Sequence, residues 1–195
     1  MRIAHAMLAV VCSATLLSGC AKTVKPISIR NPVLSFESRR LLADTQDTMS
    51  IRRAERDDAK LALANAAQRR EEMLGREWPA NASGAVGKLR ALEDGRVSYA
   101  ELTLDHAQAA LDLAEAKYAY TTAQTAMRHD LAIYELEPLE ASVDSSRSRL
   151  EQLSKELETR RPELDKLETS WWQAYSAFVK GGGDSKVFYQ AAERS

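Results

Sequence analysis

Cysteine is nearly missing from this chain: the only two, Cys12 and Cys20, fall within its first stretch of twenty residues. Everything after Cys20 must therefore hold together by packing, with no disulfide bridge and no thiol for metal binding or catalysis. Aromatic residues are scarce at 6%, and the eight Gly and five Pro of 195 residues are bunched between long stretches of Ala, Leu, Glu and Arg. That composition matches an elongated, mostly helical chain and argues against a globular enzyme core. Charge of one sign is missing too. With 27 Lys and Arg against 28 Asp and Glu, the formal charge is -1, so no strong field invites nucleic acid or anionic lipid.

Histidine offers little chemistry. Beyond the first residues only His106 and His129 remain, far apart in sequence, and each adjoins an aspartate that points elsewhere on a helix. A metal centre or catalytic dyad needs several ligands on one face, so none is expected, and no small-molecule substrate is evident. Gly181-Gly182-Gly183-Asp184-Ser185-Lys186 lacks the spacing of a phosphate loop and reads as a joint. Arg52, Arg56 and Arg70 read as solvated stems flanking a helix seam rather than as anion ligands.

What is present begins with an export signal. Arg2 supplies a positive start, residues 6–17 form an apolar run too short for a permanent membrane span, and small residues follow. Leu17-Ser18-Gly19-Cys20 resembles the lipobox of bacterial lipoproteins. The resemblance implies that Leu17, Ser18 and Gly19 are recognised by the signal peptidase and that residues 1–19 are removed. Cys20 then becomes the first residue and carries diacylglycerol and an N-acyl chain, with no other cofactor. Ala21 in the next position, rather than Asp, resembles lipoproteins sorted to the outer membrane of Gram-negative cells, facing the periplasm. Residues 20–35, with Pro26 and Pro32 and no helical stripe, then read as a lipidated Cys and an extended tether.

Residues 36–180 read as a long-helix coiled-coil domain. A first helix is expected over residues 36–78, with Leu42, Met49, Leu63 and Met73 loosely spaced. A loop at 79–84 and a short helical piece at 88–93, closed by Gly95, should follow. The longest stretch without Gly or Pro, residues 98–136, is expected to be one helix opened by a Ser98/Glu101 capping box. Leu102, Leu113, Tyr120 and Met127 mark its main seam, a second begins at Leu104, and Ala fills many remaining positions. Such a helix is suited to lie closely against more than one neighbour.

Gly95-Arg96-Val97-Ser98, then Leu104-Asp105-His106-Ala107-Gln108, Leu111, Ala114, Tyr118, Tyr120 and Leu131, resemble the last long periplasmic helix of TolC-like outer-membrane efflux proteins. His106 interrupts the Leu-Asp-Ala-Gln element of that pattern, and the likeness covers only the stretch around 98–136. It implies an accessory or reduced component of an efflux or secretion assembly.

Beyond Pro138 the heptads are cleanest. Val143, Leu150, Leu157, Leu164, Trp171 and Phe178 recur at every seventh residue, with Leu153, Leu167 and Ala174 between. Either the chain turns back at Pro138 into a long antiparallel hairpin and three-helix coiled-coil bundle, or it kinks into a longer helix completed by another protomer. Three helices of similar length favour the bundle. Pro162 should bend or break the last of them. Trp171 belongs to the seam, whereas Trp172 is the exposed candidate for docking a partner. Residues 181–195 read as a flexible joint and a short C-terminal helix begun by Asp184. The expectation is thus an all-α, non-catalytic, lipid-anchored structural protein. Its partners would be outer-membrane lipid through Cys20 and either copies of itself or another helical protein.

Overall fold

A computed structural model describes residues 24–188. Three long helices, α1 (Phe36–Leu74), α2 (Ser83–Arg128) and α3 (Glu137–Lys180), account for most of them, and the described residues contain no strand. The all-α expectation holds. At 1.5 Å per residue these helices are roughly 60 to 70 Å long. None is long and apolar enough to cross a membrane.

Helix α2 is the centre of a layer: α1 packs along one flank and α3 along the other, while α1 and α3 scarcely meet. Both pairs are antiparallel. Gln46 reaches Tyr118, Arg53 reaches Glu115 and Arg70 reaches Asp94 between α1 and α2. On the other side His106 meets Ser154 and Arg96 meets Glu168. The buried residues of α2 explain its position, because Ala100, Ala107, Ala109, Ala110, Ala114, Ala123 and Ala126 are all buried. Small side chains on two flanks let two neighbouring backbones come close. Helix α1 buries Ala59, Ala66 and Met73 along one seam, and α3 offers its heptad leucines.

The boundaries of α2 differ from those read in the sequence. Ser98 lies inside the helix, which begins at Ser83 after a single 3-10 turn, Ala80–Ala82. The piece around residues 88–93 belongs to this same helix. Gly84, Gly87 and Gly95 do not break it, although each costs about 0.5 to 1 kcal/mol relative to Ala. Burial of Ala85, Leu89 and Leu92 outweighs that cost. At Gly95 the missing side chain has a use: a Cβ there would lie 2.6 Å from a methyl of Leu167 on α3. Helix α1 ends at Leu74, earlier than expected, with Gly75 as its cap.

At the other end α2 stops at Arg128 rather than at Leu136. Asp130 adopts a left-handed conformation with φ 53°, and the Leu131 N–H reaches back to the Ala126 carbonyl at 2.9 Å. This is a Schellman-type stop with Asp in the place usually held by Gly. The chain therefore reverses before Pro138, which sits in the first turn of α3, where a missing N–H breaks no bond. Pro162 is exposed within α3 and does not end it.

The core lies at the end formed by the α1–α2 turn and the end of α3. Met73, Ala82, Ala85, Leu89, Leu92, Trp171 and Phe188 are buried together there. Gly181, Gly182 and Gly183 close α3 tightly instead of forming a loose joint. Gly182 takes φ 87°, Gly183 donates to the Phe178 carbonyl at 3.0 Å, and the Phe178 ring lies against Gly183. Asp184 accepts from the Lys186 N–H at 2.9 Å and starts a 3-10 turn, Ser185–Phe188, which returns Phe188 to the core. The short helix expected beyond it lies outside the described residues.

Candidate functional site

Leu17, Ser18, Gly19 and Cys20 lie outside the described residues. From Val24 onward, the described part of the expected tether lies against the helices. The Lys25 N–H donates to the Tyr134 hydroxyl at 3.2 Å in the α2–α3 connection, and a turn brings the Asn31 N–H to the Ser28 carbonyl at 2.9 Å. Leu34 is buried, and the Arg39 side chain binds its carbonyl at 3.1 Å. Ser35 caps α1 by accepting the Ser38 N–H at 3.2 Å. The buried Ser38 hydroxyl then meets Nε2 of His129, 2.9 Å away at the end of α2. The approach to α1 and the α2–α3 turn therefore form one end of the rod.

The seam residues of the sequence reading occupy unequal places. Leu113 is buried at the centre of α2, and Leu102 and Tyr120 are half-buried. Met127 is 37% exposed at the end of α2, outside the packed seam, because the helix stops one residue later. On α3, Leu150, Leu157 and Leu164 are half-buried against α2. Trp171 is fully buried and Trp172 is 39% exposed, beside Thr169, Gln173, Ser176 and Lys180 in an open depression on one side of α3.

His106 and His129 both serve as ties between helices. Ser154 donates its hydroxyl hydrogen to the Leu150 carbonyl at 2.8 Å, so the proton shared with His106, 3.0 Å away, comes from Nε2. Among the described residues no group of three or more His, Cys, Asp or Glu could hold a metal ion.

The most unusual polar feature is one the sequence reading missed. Glu93 of α2 is 3% exposed beside the apolar core. Its Oε1 accepts from Arg96 at 2.8 Å, and Arg69 of α1 stands 3.8 Å from Oε2 without completing a hydrogen bond. Arg96 continues to Glu168 of α3 at 3.6 Å, so the charges run from α1 through α2 to α3. Next to this chain, hydrogen bonding and charge attraction from Asp94 raise the pKa of Arg70 above its ordinary range. Glu93 could have been found by register: counting sevens from it reaches Ala100, Ala107 and Ala114, all buried, so a carboxylate stands in a line of core alanines.

An aromatic cluster closes the same end. Trp78 stacks on Phe188 at 5.0 Å, Tyr175 and Phe178 meet Phe188 edge-on, and Trp171 lies against Trp172 and Tyr175. The Trp78 indole N–H donates to the Met73 carbonyl at 3.1 Å, whereas the Trp171 N–H has no partner. These groups fasten the helices together at an apolar end of the rod. Comparison of this chain with known protein families, with characterised proteins and with solved structures finds no match.

Proposed function

We propose that this chain is a non-catalytic, lipid-anchored helical protein on the periplasmic side of an outer membrane, acting as a scaffold or assembly subunit. The observation that carries the reading is Leu17-Ser18-Gly19-Cys20 directly after an apolar leader run. Three helices held by seams and polar ties support it, since such a rod offers length and side surface for holding other components. Its direct lipid contact would be through Cys20, and its protein contacts would be copies of itself or another helical protein. The test is palmitate labelling in a Gram-negative host. The parent chain is expected to label and to sediment with membranes, and Cys20→Ser to lose the label and become soluble. Persistent labelling of Cys20→Ser refutes the reading.

A second reading, an accessory or reduced component of a TolC-like efflux or secretion assembly, draws on one observation. The helices lie side by side around α2, leaving the outer sides of α1 and α3 uncovered by each other. Wall segments of an α-helical conduit need such free edges. Light scattering on the chain starting at Ala21 should then give a trimer or a multiple of it. A stable monomer rejects the conduit and leaves the anchored scaffold standing.

A further inference from the structure

We infer that the end of the rod formed by the α2–α3 turn and the start of α1 docks directly on the lipid surface, so that the protein stands on its membrane rather than swinging from a long tether. The inference deepens the anchored reading and rests on it. Four exposed apolar side chains mark this end: Ile133 is 95% exposed, Phe36 80%, Val33 57% and Leu131 39%. They come from the approach to α1, its first residue and the α2–α3 connection, segments fastened together by Lys25 to Tyr134 and Ser38 to His129. Exposed apolar residues gathered at one end need a cover, whereas scattered ones do not.

The chain length names the cover. Cys20 precedes Val24, the first described residue, by four positions, and four residues reach at most about 14 Å in any conformation. Lys25, the next residue, is already bonded to Tyr134, next to Ile133 in sequence. An acyl chain on Cys20 thus keeps the end that carries Ile133 and Phe36 beside the lipid surface, where apolar groups can enter about 5 to 10 Å into the headgroup boundary. Charge does not oppose this: the segments that form this end carry both signs, with Lys25, Arg30, Arg39, Arg40 and Arg128 against Glu37, Asp130, Glu135 and Glu137.

The test uses the full chain, acylated in a Gram-negative host, with Ile133→Cys labelled by an environment-sensitive fluorophore. The labelled protein is placed in vesicles of phosphatidylethanolamine and phosphatidylglycerol, with or without brominated acyl chains. Ile133 is almost wholly exposed, so the substitution leaves the fold intact. The thioether of an acylated Cys20 does not react with the label. Brominated lipid is expected to cut emission at 133 to about half or less, and to leave unchanged a label at Lys180→Cys, which lies at the far end of α3. Full emission at 133 in protein whose mass confirms the acyl group overturns docking and spares the anchor. A blue shift at 133 that ignores bromine and grows with protein density assigns the patch to a second copy, and also overturns docking. A mature chain without acyl mass overturns both.

Discussion

Replacing Glu93 by Gln should weaken this protein more than replacing it by Met. The carboxylate has arginine N–H groups toward both oxygens, Arg96 at 2.8 Å and Arg69 at 3.8 Å. A glutamine amide has one accepting oxygen and one donating NH2, so in either orientation it sets a donor against a donor. At an effective dielectric constant near 20, one charge pair at this separation is worth about 4 kcal/mol before desolvation, and release of the buried carboxylate from that penalty returns several kcal/mol. With the charge-assisted bond to Arg96 also weakened, the net loss for Glu93→Gln is about 2 to 3 kcal/mol. Met presents no donor and fills similar space beside Leu92, and Arg69 and Arg96 are only partly buried, with Arg96 also facing Glu168, so neither charge is stranded and the cost should stay below about 2 kcal/mol. Urea unfolding of the chain starting at Ala21, followed by far-ultraviolet circular dichroism, should show the Gln midpoint lowered by about 1 M. The shift should persist in 1 M salt, where screening acts over about 3 Å but reaches buried pairs poorly. A Gln variant within about 0.5 kcal/mol of the parent, or one more stable than Met, would refute the idea that this carboxylate is a buried interhelical tie.

Two further substitutions probe the aromatic end. Trp171→Ala should cost about 3 to 5 kcal/mol in the same titration, and Trp171→Phe clearly less, because the lost indole N–H has no partner to abandon. Gly183→Ala drives a Cβ into the Phe178 ring and should cost about 1 to 3 kcal/mol, with a changed near-ultraviolet spectrum; an unchanged spectrum and midpoint would mean that the ring is not seated there.

The third helix was the easiest to read because one period and one chemical type coincide: the apolar side chains of Val143 to Phe178 recur in register with few polar interruptions. The first helix was harder because its seam mixes Ala59 and Ala66 with Arg52, Arg56 and Arg70, and an arginine on a seam resembles a surface residue until its carboxylate is known. Arg52 and Arg56 find theirs within α1, at Glu55 and Asp57, but Arg70 finds its partner at Asp94 on α2, a pairing that no local pattern contains. The ends of α2 misled for opposite reasons. At its start, glycines read as breakers were overruled by tertiary burial. At its end, the absence of Gly and Pro suggested continuation, although one Asp in the left-handed region was enough to stop the helix. Of the candidate positions, Trp171 and Trp172 separate into core and surface, while Glu93 escaped notice because a carboxylate in an Ala line looks solvated when its neighbours are not yet known.

The layered arrangement follows from how many apolar flanks each helix owns. α2 has two, lined by alanines, so it can be covered twice. α1 and α3 each have a single narrow seam, and away from it α3 carries exposed Glu151, Lys155, Glu158, Arg161 and Glu163. A contact between α1 and α3 would have to desolvate such charges or take apolar residues away from α2, and neither exchange is favourable. Alanine lines, however, fit almost as well after a slip of seven residues, so packing alone leaves the register weakly chosen. Glu93 between Arg69 and Arg96, His106 against Ser154 and His129 against Ser38 remove that freedom, since any slip would leave buried and half-buried polar groups unpaired. The apolar flanks hold the helices together, and the few buried polar groups determine where along each other they stop.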